Sequence, residues 1–404
     1  MTFSFEADKA LDELYIFNEE SRRVYHGVEY NTVNALYGAN ASGKSTLLQA
    51  IYNLYALNAF FNMGSNEAWF QVYKSCFYDE TLPIIFELEY IPCKAKYFPE
   101  EIVIYTLEIA FLTDEKVSIL KEELKTEKHL IFKREFDMSN SLDSLYKYEF
   151  GTEIALFESE EQDRIKQKVQ SPFNLLCYNA FLEVLEPYRL VLHSDYNQFF
   201  RLFDFMYKSD DKVNIIRLVK KRLDNSQFKQ RLLNLCKLAD FNIEDVVVQS
   251  DQLWFVHSNR KGIPFEAQSD GTQKFFLLFA TTFLLEDKDS DKEEHPKTFY
   301  IDELEKSLHY NLASAIIDIF RKKETNPHGH RLVFTTHDTR FLHPSFVHGD
   351  QVWFISRDND TDETLLESPV EYKDFDPFHL DKAYLRGAYS GVPNTKFDDE
   401  PLEI

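Results

Sequence analysis

The stretch Gly38-Ala39-Asn40-Ala41-Ser42-Gly43-Lys44-Ser45-Thr46 constrains this chain more than any other part of it. It holds GxxxxGK[ST] in full, with Gly38, Gly43, Lys44 and Ser45 at the required positions. A loop that wraps a phosphate chain needs closely spaced backbone N–H donors, and glycine lets the main chain come that near. The lysine then reaches the β- and γ-phosphates, and the hydroxyl after it holds Mg²⁺. Asn40, Ser42 and Thr46 complete the set of phosphate-binding candidates. The motif has meaning only between a strand and a helix. Thr32–Tyr37 reads as a short buried strand, and Leu47, Leu48, Ile51, Leu54, Tyr55 and Leu57 keep helical spacing behind it. A chance match is expected in roughly one or two chains per hundred of this length, so the reading needs partners downstream.

Three segments supply them. Lys297–Glu303 is an apolar strand that ends in two carboxylates. Asp302 would hold the metal through water, and Glu303 would face the attacking water as general base. An acidic pair after a strand is weak evidence alone and strong evidence behind a P-loop. Arg331–Asp338 is a second such strand, ending at His337, which can hydrogen-bond a γ-phosphate. A lone histidine is more often structural; the place of this one, at the end of the strand after the acidic pair, raises its functional odds. RLVFTTH also spells an Arg-x₅-His nuclease pattern, but the intervening residues are those of a buried strand. Gln268–Gln273 opens a long apolar helix, where Ser269 and the backbone around Gly271 offer an anion site. Ordinary helix capping would use the same residues. Their position about 30 residues before Asp302 matches the signature loop of ABC-type ATPases, which reaches a nucleotide held by another subunit. A complete site then requires two copies.

Around these motifs, Pro83–Tyr90, Val103–Phe111 and His129–Phe136 alternate partly with period two and suggest an antiparallel β layer. Leu14–Phe17 suits an edge strand, Val246–Val248 and Leu253–Val256 a hairpin, and Gln351–Ile355 the last strand. Residues 155 to 240 turn helical. The fold expected is α/β, a P-loop NTPase of ABC-ATPase head type with an antiparallel β layer and an inserted helical lobe. Its parts are 1–150 (P-loop and β layer), 151–242 (helical lobe) and 243–404 (signature, acidic pair and switch histidine). The 404 residues, 44% hydrophobic with 37 Phe and 22 Tyr, provide a large core. A formal charge of −23 repels duplex nucleic acid on average. The cluster Arg217, Lys220, Lys221, Arg222, Lys229 and Arg231 leaves direct DNA binding open, though a solvated helix face is the more ordinary reading. With no apolar run of membrane length and no signal peptide, the chain is read as cytoplasmic. Cys76, Cys93, Cys177 and Cys236, with no CxxC spacing, read as reduced core residues.

The order GANASGKS, SDGTQ, YIDELEKSLH, FTTHD, QVWF and KAYLRGAYSGVP resembles that of a family of bacterial AAA/ABC-hybrid ATPases. These include ATPases of abortive-infection, RloA-type and PARIS AriA-like anti-phage operons, and more distantly overcoming-lysogenisation ATPases and SMC/RecF heads. The resemblance implies slow ATP hydrolysis with Mg²⁺ by Lys44, Ser45, Asp302 and Glu303. It also implies a trans signature at Ser269 and Gly271, a switch at His337, and a D-loop at Ser307-Leu308-His309 on a dimer seam. By the same resemblance the chain is a homo-oligomer of ATP-sandwich dimers that controls a separately encoded effector such as a nuclease, triggered by a phage protein. About 67 residues follow His337, too few for a nuclease domain, so cleavage is expected of a partner. Two departures stand out: no Q-loop glutamine can be placed, and the opening N-terminal strand is short or missing. Lys306 and His309 are polar additions near the dimer seam, and plain surface is their more ordinary reading. The competing class is a DNA-clamping repair ATPase.

Overall fold

A computed structural model describes residues 3–4, 6–7, 20–25, 27–48, 50–51, 82–90, 102–113, 116–137, 146–151, 163, 216–217, 219–239, 241–285, 296, 298–358, 361 and 363–392. The chain divides into two compact units, one of residues 1–48 with 195–404, the other of residues 49–194.

In the first unit an antiparallel ribbon of β1 (Arg22–Tyr25) and β2 (Val28–Asn31) leads into β3 (Val33–Gly38). The opening strand is expected to be short or missing, and both strands of this ribbon are four residues long. All six residues of β3 are buried, as a strand covered on both faces requires. The strand sits in the middle of a five-stranded sheet of order β12-β13-β3-β14-β15. Its members are β12 (Thr298–Ile301), β13 (Arg331–Thr335), β14 (Val352–Arg357) and β15 (Thr364–Glu367). β12, β13, β3 and β14 run parallel, with Leu332 opposite Val33 and Thr335 opposite Leu36, while β15 runs antiparallel at the edge. Four parallel strands end on one edge of the sheet, so the loops that follow them converge there. The strand expected to be last, β14, is followed by β15. That short strand escaped because the acidic stretch 358–363 stands between it and β14 in the sequence.

Helix α3 (Tyr310–Arg321) covers one face of the sheet with Ala313, Ile316, Ile317 and Phe320, against Val33, Ala35, Phe299 and Phe334. Phe354 of β14 is stacked between Tyr384 of α4 (Leu380–Leu385) and Tyr389, at centroid distances of 4.9 and 5.0 Å. Tyr37, at the mouth of the P-loop, meets the same Tyr384 edge-on at 5.7 Å. The segment KAYLRGAYSG thus braces the strand that carries the loop.

A second core joins α1 (Ser226–Leu238), the hairpin β9 (Ile243–Gln249) and β10 (Gln252–His257), and α2 (Asp270–Leu285), while β11 (Gly262–Pro264) pairs with β10 at the sheet edge. The hairpin is the expected one, and it turns through Ser250 and Asp251, both at positive φ. Cys236 is buried in this core, where desolvation pushes its thiol up to about 12; the other three cysteines lie outside the described residues.

The second unit contains an antiparallel meander of β4 (Ile84–Tyr90), β5 (Val103–Thr113), β6 (Lys116–Thr126), β7 (Leu130–Phe136) and β8 (Tyr146–Phe150). The expected β layer is present, with two strands more than the alternation revealed. β6 escaped because Glu122, on its inward face, is charged. That carboxylate is fully buried against Arg134 at 2.6 Å, accepts the Tyr105 hydroxyl at 2.9 Å, and so forms the polar centre of an otherwise apolar face.

Leu14–Phe17, the P-loop helix beyond residue 51 and most of the expected helical lobe fall outside the described residues. Within 151–242, residues 216–217, 219–222 and α1 are helical. No helix among the described residues is long and apolar enough to cross a membrane.

Candidate nucleotide site

The P-loop leaves β3 at Gly38 and enters its helix at Lys44. Gly43 takes φ 107°, a conformation open to glycine and strained for any other residue, and a Cβ there would also press on the Thr364 side chain of β15. Lys44 is 7% exposed, and its ammonium donates to the carbonyls of Gly38 and Ala39, each at 2.8 Å. Burial lowers its pKa, while Asp302, Glu303 and Glu305 pull it back up. Asn40 and Thr46 are exposed along the loop, and Ser42 is buried beneath it.

β12 ends at the acidic pair, and β13, lying between β12 and β3, supplies the hydroxyl that orients it toward this loop. Ser45 Oγ donates to Asp302 Oδ2 at 2.8 Å, joining residues 257 positions apart. Thr335 Oγ1, at the buried end of β13, donates to Asp302 Oδ1 at 2.6 Å and accepts the Glu303 N–H at 2.7 Å. Both carboxylate oxygens of Asp302 are therefore oriented, one by the P-loop and one by the neighbouring strand. A serine hydroxyl beside a fixed carboxylate is a hard, all-oxygen donor pair. It fits Mg²⁺, which is held through one or two carboxylates together with substrate phosphates.

Glu303 follows with φ 50° and pairs with Lys306 at 2.6 Å. The hydrogen bond from Lys306 holds the Glu303 carboxyl below its usual range, against partial burial, with the charges of Lys306, His337 and Lys274 adding to it. Lys306, read from sequence as surface, is a partner of the acidic pair. His309, read the same way, accepts the Asn311 N–H at 3.2 Å and caps α3. His337 is exposed at the end of β13, and its backbone N–H donates to Glu305 Oε1 at 2.8 Å.

Ser269 stands at the start of α2, its hydroxyl 2.8 Å from Thr272 Oγ1 and accepting the Thr272 N–H at 3.2 Å. A Cβ on Gly271 would overlap the Ser307 carbonyl oxygen, so the helix start and the turn after the acidic pair touch here. The structure therefore joins Ser45 to Asp302 directly and Asp302 to Glu303 through Thr335. It seats the start of α2, at Gly271, on the turn that follows Glu303.

Three residues of this constellation were not singled out from sequence, Thr335, Lys274 and Glu305, and the role of a fourth, Lys306, was not read there. The signals were a hydroxyl inside an apolar strand, and charged residues inside DELEK or directly after SDGTQ.

A family model described as "AAA domain, putative AbiEii toxin, Type IV TA system" matches residues 33–89 and 97–342, well over half of the chain. No curated protein matches significantly. Among solved structures, the SMC head domain from Thermotoga maritima is similar at 12% identity, covering 68% of this chain and 77% of that one, with a TM-score of 0.27. The Smc head domain of Pyrococcus furiosus, with an extended coiled coil and bound to the C-terminal domain of ScpA, is similar at 13% identity. That match covers 84% of this chain and 92% of the other, with a TM-score of 0.35. The first matched segment holds the P-loop and the second the acidic pair and His337, and the parallel sheet brings their strand ends to one edge. The fold is α/β, with the P-loop leaving the central strand of a mostly parallel sheet, and the chain belongs to this AAA-domain family.

Proposed function

We propose that the chain binds ATP with Mg²⁺ and hydrolyses it slowly, as an oligomer built on ATP-sandwich dimers. The observation that carries this reading is the chain Ser45–Asp302–Thr335–Glu303, which ties the phosphate loop to two carboxylates of different role. Lys44 would move from its loop carbonyls to the β- and γ-phosphates. Ser45 and Asp302 would hold Mg²⁺, which when bound neutralises phosphate charge. Glu303, kept ionised by Lys306, would take a proton from the attacking water as its oxygen bonds to the γ-phosphorus and the bond to ADP breaks. His337 would donate to the γ-phosphate, and Ser269 with the Gly271 backbone would reach the nucleotide of a second copy.

The family description and the order of motifs support a role as sensor or scaffold in anti-phage defence of the abortive-infection or RloA type. There the ATPase would control a separately encoded toxic effector, a nuclease in the simplest case, and respond to a phage protein. DNA clamping is less well supported. Lys220 of the basic cluster is paired with Asp251 at 2.6 Å and Lys229 with Asp245 at 2.7 Å, on a chain of net charge −23.

Phosphate release by the purified chain is the test. Lys44→Ala should abolish it. Glu303→Gln should keep ATP binding, stop turnover and accumulate a dimer on size-exclusion chromatography. Turnover by Glu303→Gln at the wild-type rate would refute the assignment of the base.

A further inference from the structure

One buried ammonium is left idle by the reading above. Lys274, 7% exposed, lies in the first turns of α2 and donates to three carbonyls of the turn after β12. These are Glu303 O at 2.9 Å, Leu304 O at 3.1 Å and Lys306 O at 2.9 Å. An ammonium has three donors and no acceptor, so its bonding capacity is used up on this turn. Three positions earlier, on the same side of the helix, Gly271 lies against the carbonyl of Ser307. Helix and turn thus meet at two points.

The turn needs such support. Glu303 at φ 50° and Ser307 at φ 62° both occupy the left-handed region without being glycine, a strained state that persists where the surroundings over-determine it. Its other side is held too: Glu305 Oε1 accepts the His337 N–H, and the Glu303 N–H donates to Thr335 Oγ1. The charges facing the ammonium are Glu305, Glu303 and Asp302, which favour it, and Lys306, which opposes it. Burial outweighs them and lowers its pKa to about 8, so a costly desolvated charge is kept at this point.

We propose that Lys274 is a positioning residue, which fixes the turn carrying Glu303 to the start of the signature helix. Contact of Ser269 and Gly271 with the nucleotide of a second copy then orients Glu303 of their own chain. The inference rests on the ATPase reading and adds to it a route from one site of the dimer to the other.

The test uses the full-length chain and four proteins: wild type, Lys274→Met, Ser269→Ala and the double variant. Affinity for a fluorescent ATP analogue and kcat are measured for each. A misplaced reacting group costs on the order of 100-fold in rate. Lys274→Met should therefore lose kcat on that order while its nucleotide affinity stays within about twofold. The double variant should be no slower than the slower single, because both changes cut one route. The proposal is overturned by a wild-type kcat in Lys274→Met, by joint loss of affinity and kcat, or by single effects that multiply. Should Lys274→Met fail to fold, Lys274→Arg carries the same test with the same outcomes, since a planar fork cannot converge on three carbonyls as an ammonium does. A wild-type chain that binds ATP without turning it over would defeat the ATPase reading itself, and this is seen before any variant is made.

Discussion

Thr335→Val keeps the shape of a fully buried side chain and removes one oxygen, so its effects come from hydrogen bonding alone. That oxygen makes two bonds, at 2.6 Å to the Asp302 carboxylate and at 2.7 Å from the Glu303 N–H. Losing the bond to a carboxylate costs about 1.5–3 kcal/mol, and leaving the N–H without a partner costs about 1–3 kcal/mol. The two share one atom and do not add fully, so a loss of about 2–4 kcal/mol in unfolding free energy is expected. The functional effect has its own scale. Removing the group that orients a metal ligand costs about 10–100-fold in metal affinity. Phosphate release is measured against Mg²⁺ concentration at saturating ATP, beside urea unfolding of the same samples. The Mg²⁺ concentration at half-maximal rate should rise about 10–100-fold, and turnover at saturating Mg²⁺ should also fall, because the same hydroxyl seats Glu303. Thr335→Ser, which keeps the oxygen, should restore the Mg²⁺ dependence. A valine variant with wild-type Mg²⁺ dependence would show that Asp302 is oriented without this strand.

Lys306→Met removes the main group that holds the Glu303 carboxyl below its usual range. A lowered pKa keeps a base ionised further into acid, so the acid limb of the pH–rate profile should move to higher pH in this variant; an unmoved limb would separate Lys306 from the base. In the second unit, Arg134→Met leaves Glu122 buried without its 2.6 Å partner, both side chains being fully inaccessible. A loss of about 3–5 kcal/mol in urea unfolding should follow, most of it recovered by Glu122→Leu with Arg134→Met; equal single and double effects would refute the pairing argument.

Motifs whose chemistry is local were legible in the sequence. A phosphate loop needs its glycines, lysine and hydroxyl within a few residues, because one backbone turn does the wrapping, and Gly38 to Thr46 state this without tertiary context. The same holds for β12 and β13, which are short apolar runs with polar ends, and for the acidic pair that terminates the first of them. Even the start of α2 was marked, by serine and glycine ahead of an apolar run.

What tertiary structure decided was who meets whom. The order β12-β13-β3-β14 interleaves strands hundreds of residues apart, and no local pattern encodes it, since each strand is simply apolar. That order puts Thr335 between Asp302 and Glu303, and brings Ser45 to the other oxygen of Asp302. Burial likewise changed the meaning of charges. Lys274, Lys306, Glu122 and Arg134 look like solvated polar residues in one dimension. In the fold three of them are desolvated, and all four are bonded, because a charge can leave water only where partners replace it. Sequence determined that a phosphate loop, an acidic strand end and a serine–glycine helix start exist. The fold determined that they are joined through Thr335 and Lys274.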